Sequence, residues 1–445
     1  MSYDMIAIFM FSSMMLMLLT GQRVFGAIGA VATVAALALW GTGGSDIPFS
    51  AVMKLMKWYP LLTLPMFIFM GYVLSESKIA DDLYKMFHVW MGPVHGGLAI
   101  GTIGLMVLIS AMNGLSVAGM AIGATIALPE LLKRGYDKKM VTGVIQAGSS
   151  LGILVPPSVV LVLYAMIARQ PVGQLWLAGV IPGFVMAGMF ILYIYIRCRI
   201  SPELGPTLSK EERDKVPMRE RLALLRAGFL PLIIFFAMMF PFVKGWTSLT
   251  ESSALGAMTA FMAAVLKGRM TRQVFEKSVR STLAISCMFM FIILAAMGFG
   301  AVFDGLGAVK AIDHLFTDEL GLSPWTILIL MQLSFLIMGT FLDDTAMLVI
   351  VAPLYIPLVH HLGFNLIWYG VLYTITTQIA YMTPPFGYNL FLMRAMAPPE
   401  INMRDIYGSI IPFVGVMVLA LVLNMVFPQI ALWLPNYIYF GGSPG

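Results

Sequence analysis

Charge is what this sequence has least of. Of its 445 residues only 11% are Asp, Glu, Lys or Arg, while 60% are hydrophobic. A soluble domain carries about a quarter charged residues, so a water-soluble globular protein of this length is excluded. Cysteine is nearly absent too. Cys198 and Cys287 stand far apart, which excludes a disulfide framework and a cysteine zinc site. The five histidines (His88, His95, His314, His360, His361) form no HExxH-type spacing, and a membrane-embedded enzyme would need such a cluster at one membrane face. The net charge of +5 sits in short loops between apolar runs, not on a basic face, so nothing points to nucleic acid. The N-terminal "MSYDMIAIFMFSSMMLMLL" lacks a basic n-region and a small-residue cleavage site, and reads as a retained first span.

What is present is long apolar sequence. Runs able to cross a bilayer fall near 5–21, 24–41, 58–75, 140–168, 174–196, 227–243, 252–266, 281–300, 366–394 and 409–427. Two more, 96–131 and 323–359, each have two arms of about half a membrane, parted by "SAMNGLSVAG" and "GTFLDDTA". These predict re-entrant hairpins.

A shift of 228 residues lays Pro129 on Pro357, Gly135 on Gly363, Pro156–Pro157 on Pro384–Pro385 and Pro171 on Pro399. The chain therefore reads as two copies of one unit. Loop charge orients them, because short cytoplasmic loops collect Lys and Arg. The loop 197–226 carries eight basic residues and is placed inside, as are "KGRMTRQVFEKSVR" and "KRGYDKK"; "DGLGAVKAIDHLFTDELG" is placed outside. Counting spans then makes the repeats inverted, with the N-terminus periplasmic.

Both Pro-Pro pairs lie inside apolar runs, where a proline costs about 3 kcal/mol in a helix interior. Irregular backbone at membrane depth is tolerated only when buried in protein or lining a cavity. Inverted repeats that each carry a broken helix are the pattern of a secondary transporter with its site at the midplane. At the first break, carbonyls near Ser149–Val155 offer hard oxygens to a cation such as Na⁺, and the half-helix after Pro157, with the Ser158 hydroxyl, offers donors to an anion. The tips supply Ser110, Asn113 and Ser116 on one side and Gly339, Thr340 and Asp343 on the other. Ser149–Ser150 and Thr376–Thr377 precede the two breaks. Asp343 and Asp344 read either as intramembrane functional carboxylates or as helix N-caps. Arg394 reads as snorkelling to the inner interface or as pairing with a substrate carboxylate.

The blocks "KRGYDKKMVTGVIQAGSSLGILVPPSVVLVLYA", "LTESSALG", "MGTFLDDTAMLVIVAPLYIPLVHHLGF" and "MTPPFGYNLF" resemble, in order and over nearly the whole chain, the large (M, or DctM-type) membrane subunit of tripartite ATP-independent periplasmic (TRAP) transporters. The resemblance implies an all-α polytopic membrane protein of the bacterial inner membrane and an elevator mechanism. It implies Na⁺-driven uptake of an organic anion, a periplasmic substrate-binding protein and a small four-helix Q subunit on a separate chain. Position by position, it assigns one sodium site to groups around Ser110, Asn113, Gly152, Val155 and Pro157, and a second to Gly339, Thr377, Ala380 and Thr383. The polar groups left for substrate are Ser116, Ser149, Ser158, Asp343, Thr376 and Asn389. The expected division is scaffold at 1–91 and 172–280, transport repeats at 92–171 and 281–399, and a C-terminal span and tail at 400–445. A stand-alone inverted-repeat anion/sodium symporter of the divalent-anion type is the nearest alternative, with a channel and a membrane-embedded enzyme further off.

Overall fold

The computed structural model describes residues 3–20, 22–114, 116–207, 217–308, 310, 321–339, 344–384 and 387–441. Among them the regular structure is entirely helical. The chain opens with α1 (Tyr3–Leu19), α2 (Val24–Ala35, continued by a π-helical turn to Trp40), α3 (Asp46–Met56), α4 (Thr63–Glu76) and α5 (Ile79–Met91). A helical hairpin follows, of α6 (Gly97–Asn113), α7 (Ser116–Ile122) and α8 (Leu128–Lys133), with a π-helical turn at Gly123–Ala127. Then come α9 (Lys138–Ser150) and α10 (Val159–Ala168), the two halves of the first broken helix, and α11 (Val172–Ile200). The middle of the chain forms α12 (Met218–Val243), α13 (Leu249–Leu266) and α14 (Arg272–Gly305). A second hairpin, α15 (Pro324–Met338) and α16 (Asp344–His361), precedes the second broken helix, α17 (Leu366–Tyr381) and α18 (Tyr388–Met396). Finally come α19 (Met403–Val426) and α20 (Gln429–Phe440).

Five of these (α11, α12, α13, α14 and α19) are long and apolar enough to cross a membrane. Several runs expected as single spans are divided instead: 58–75 becomes a short 3₁₀ turn and the 14-residue α4. Helices α3, α5 and α20 were not among the expected spans; α5 holds Asp81, Asp82, Lys85 and His88 within 13 residues, a composition no apolar window selects. The exterior carries large apolar side chains in register, among them Phe229, Ile233, Phe236 and Phe240 on α12. Spaced at helical intervals and exposed, they form a face suited to lipid.

Two bodies of packing can be traced. In one, α4 runs against α13 and α14, α14 also covers α2 and α3, and α12 bridges α13 to α5. Asp82 ties the corner, 2.8 Å from Lys267 and 3.1 Å from Arg269, beside Glu76–Lys277 at 2.8 Å. In the other, the broken helices are central. Every residue from Met140 to Met166 and from Ile367 to Met382 is buried. A helix buried all round keeps no solvent face, so the polar residues these segments carry, Thr142, Gln146, Thr376 and Gln378 among them, are buried as well. Helix α19 packs on α9 and α17, and α11 packs on α6, α10, α17 and α20.

The internal repeat is visible in the backbone. Gly135 and Gly363 both adopt φ +78°, a left-handed conformation that glycine enters without strain. Two residues on, Asp137 accepts from the amides of Lys139 and Met140, and Asn365 accepts from those of Ile367 and Trp368. The same N-cap thus starts both broken helices at the same offset.

Candidate functional site

The first break begins where α9 tightens into a 3₁₀ turn at Leu151–Ile153. Pro156 and Pro157 bring no amide hydrogens, so the chain restarts as a helix only at Val159. Ser158 organises this restart. Its hydroxyl accepts from the Leu161 amide at 3.1 Å and donates back to the Ile153 carbonyl, spanning the gap. Its carbonyl accepts from the indole Nε1 of Trp176 on α11 at 3.3 Å. Two glycines let α11 lie close against the break: a Cβ on Gly179 would fall 2.4 Å from the Leu154 carbonyl oxygen, and one on Gly183 would fall 2.7 Å from Val155 Cγ2.

The first hairpin tip closes on the same place. Gly114, at φ +63°, accepts from the Val159 amide at 3.3 Å. A Cβ there would lie 2.1 Å from the Pro157 carbonyl oxygen, so only glycine fits. Met106 fills the space above Gly148, and Gly119 lies on Ser149. Tip, arms and break form one packed unit.

The second break has matching parts. Thr383 donates its hydroxyl to the Ile379 carbonyl at 2.7 Å and its amide to Ala380 at 3.1 Å. Gly339, at the end of the first arm of the second hairpin, meets Ala380: a Cβ on it would be 2.4 Å from the Ala380 Cβ. Thr340 and Asp343, at the tip, and Pro385, in the break, lie outside the described residues, and so do the side chains of Asp344, Ser110 and Asn113.

The two units meet. Tyr164 of α10 stacks on Tyr373 of α17 at 6.2 Å between ring centroids and donates to the Leu366 carbonyl at 2.8 Å. Gln378 donates to the Ser150 carbonyl at 3.0 Å. Asn389 Nδ2 of α18 stands 3.5 Å from Ser116 Oγ at the start of α7. The expected positions Gly152, Val155, Pro157, Ser149, Ser158, Thr376, Thr377, Ala380, Asn389 and Ser116 are buried around the two breaks, and Thr383 is half-buried beside them.

The chemistry of this region is that of neutral oxygen. Neither Met140–Met166 nor Ile367–Thr383 contains Asp, Glu, Lys, Arg or His, and the described residues contain no cluster of three His, Cys, Asp or Glu side chains. The hydroxyls of Ser149, Thr377 and Thr383 spend their protons on the carbonyls of Gln146, Tyr373 and Ile379. What each hydroxyl retains is acceptor capacity. The Thr376 hydroxyl donates to Gln332 Oε1 of α15, so it holds the second hairpin to the second broken helix. The amide oxygens of Gln146, Gln378 and Asn389 are buried with no hydrogen-bond partner. Surplus buried acceptors of this kind are uncharged oxygens, the donor type that hard cations take as ligands.

Gln146, Gln332 and Gln378 were missed in the sequence. For Gln146 and Gln378 the signal available was an uncharged amide within three turns before a Pro-Pro pair; Gln332, in the first arm of the second hairpin, had no such marker. Gly114 and Gly179 left no sequence signal beyond being glycines.

Comparison with known proteins agrees with this architecture. Residues 11–430 match the model of the DctM component of the tripartite ATP-independent periplasmic transporter. The C4-dicarboxylate TRAP transporter large permease protein DctM of Pseudomonas aeruginosa is 30% identical over 381 residues, covering 85% of this chain and 87% of that one. The ectoine TRAP transporter large permease protein TeaC of Halomonas elongata is 27% identical, covering 90% and 91%. Among solved structures, the Alcanivorax borkumensis YdaH transporter superposes with a TM-score of 0.60 at 16% identity, covering 91% of this chain and 90% of that one, a likeness of fold alone. With broken helices, paired hairpins and a family match running almost end to end, the chain belongs to the large permease subunits of the TRAP transporters.

Proposed function

We propose that this permease carries an organic anion, a carboxylate or related acid, across the bacterial inner membrane as a Na⁺-coupled secondary transporter. A periplasmic binding protein delivers the substrate, and a small Q-type membrane subunit on a separate chain completes the complex. The N-terminus faces the periplasm, and the hairpins enter the membrane from opposite sides without crossing it. The carrying observation is the closure of the first tip, through Gly114, on Pro157 and Val159 of its own break while Ser116 approaches Asn389 of the other repeat. On this reading one substrate position lies between the two repeats.

The sodium sites are proposed around Ser110, Asn113, Gly152, Val155 and Pro157, and around Gly339, Thr377, Ala380 and Thr383. Proton-spent hydroxyls and backbone carbonyls are hard ligands suited to Na⁺. Substrate is proposed to meet Ser116, Ser149, Ser158, Asp343, Thr376 and Asn389. Through the hydroxyl bond to Gln332, Thr376 would act by fixing the second hairpin. The two broken helices with their hairpins move together as the elevator against the helices around α4, α13 and α14. Relatives are named for C4-dicarboxylates, ectoine and sialic acid, so the anion is sought among small carboxylates.

The test is thermal stability of the purified chain with its small subunit in Na⁺ against K⁺ at equal ionic strength. A ligand bound only by the folded state stabilises by RT ln(1 + [L]/Kd), about 2.7 kcal/mol at 100 times Kd. A Na⁺-specific rise, diminished by Thr383→Ala and by Ser110→Ala, is expected. Equal stability in both salts would remove sodium from the mechanism.

A further inference from the structure

Gln378 is wholly buried in the last turn of α17. Its Nε2 donates to the Ser150 carbonyl at 3.0 Å across a separation of 228 residues. That separation is the repeat offset itself, the one that relates Gly135 to Gly363 and Asp137 to Asn365. The bond therefore joins a residue to its own counterpart in the other repeat. It has no mirror image, because the Ser150 hydroxyl turns back to the Ala147 carbonyl at 2.7 Å.

Position gives this bond its consequence. Ser150 is the last residue of α9, two before Gly152 and the carbonyls proposed for the first cation site. Gln378 lies between Thr377 and Ala380, proposed for the second. An ion that orders the carbonyls after Ser150 also fixes the acceptor of the Gln378 amide, and through it the last turn of α17. Burying an amide whose oxygen stays unpartnered is costly, and a residue serving only to pack would avoid that cost with Leu or Met.

Resting on the sodium reading above, we propose that Gln378 is the positioning residue that couples the two cation sites, so that occupation of one raises affinity at the other. Coupling of this kind is reciprocal and typically five-fold or more. The probe is Na⁺ alone, titrated against K⁺ at constant ionic strength onto the full chain with its small subunit, read by tryptophan fluorescence and melting temperature. The native chain is expected to bind with a Hill coefficient above unity. In Gln378→Met the Na⁺ response persists, the coefficient falls to unity and the midpoint rises, about two-fold for a five-fold coupling.

Thr383→Ala, which removes a second-site ligand, separates coupling from mere structure. Adding Gln378→Met to Thr383→Ala should leave the remaining midpoint unchanged. An equal loss in both backgrounds, or a native Hill coefficient in Gln378→Met, would overturn the coupling while leaving sodium binding intact. Absence of any Na⁺ response in the native chain would overturn the sodium reading and the coupling together. Should Gln378→Met not yield a monodisperse protein, Gln378→Asn, one methylene too short to reach the carbonyl, serves in its place.

Discussion

The contact between the second hairpin and the second broken helix can be tested by exchanging its two residues. Gly339 has an ordinary helical backbone, φ −70°, so an alanine there meets no conformational penalty. By narrowing the unfolded ensemble it would gain about 0.4–1 kcal/mol. The obstacle is space: the new Cβ would sit 2.4 Å from Ala380 Cβ, and relieving such overpacking costs about 1–3 kcal/mol. Gly339→Ala alone should therefore destabilise by about 1–2 kcal/mol. Ala380→Gly alone should cost about 1 kcal/mol in helix propensity. Together the clash is absent, the propensity loss and the entropy gain nearly cancel, and the double variant should return to within about 0.5 kcal/mol of the native chain. The first repeat already carries this exchanged order, with Ala111 and Gly152 standing 228 residues before Gly339 and Ala380. Equilibrium unfolding of the four proteins in one detergent closes the cycle. If the double variant is as unstable as the two singles combined, the close approach of tip and break is wrong.

Three further outcomes follow from the geometry. Gly114→Ala forces a side chain into φ +63° and onto the Pro157 carbonyl; it should cost about 1–2 kcal/mol from backbone conformation alone and abolish any Na⁺-dependent rise in melting temperature. Ser158→Ala removes the cap of α10 and leaves the Ile153 carbonyl without its donor, an expected loss of about 1–2 kcal/mol by equilibrium unfolding. Burial raises the pKa of Asp82, but its bonds to Lys267 and Arg269 outweigh burial and hold it below the ordinary carboxylate value. Its contribution is present above the unfolded pKa near about 4 and is lost as pH falls through the lower folded value. Because the pair is partly exposed, Asp82→Asn should cost about 1 kcal/mol or less at pH 7 and flatten the acid limb of a melting-temperature profile.

The parts legible in the sequence were those where backbone geometry dictates residue type. Gly135 and Gly363 could be matched because a left-handed turn selects glycine, and the Pro-Pro pairs because they end helices. The illegible parts depend on which helix lies beside which. Nothing near Gln378 announces that its amide ends at Ser150, and nothing near Gly179 announces a carbonyl 2.4 Å from its missing Cβ. Helix α5 escaped for another reason. Its Asp82 is engaged at a helix corner by Lys267 and Arg269, so hydropathy hides a helix that packing makes necessary.

Breaking a helix at depth leaves backbone groups that must find partners elsewhere, and the first break recruits them from other helices. The Val159 amide, first in the new half-helix, is satisfied by Gly114 of the hairpin tip, and the Ser158 carbonyl by Trp176 of α11. The tip is thus a hydrogen-bonding partner of the break. Withdrawing it orphans a donor and an acceptor, each costing about 1–3 kcal/mol if it stays dry, a cost that is relieved where water replaces those bonds. Val155 and Pro157 stand beside the same groups. An ion drawing their carbonyls into its shell would hold the restart of α10 in the geometry that Gly114 requires. On the sodium reading proposed above, sealing the break and binding the ion would be one equilibrium, and a site built from a broken helix would have a physical reason to link cargo binding to hairpin closure.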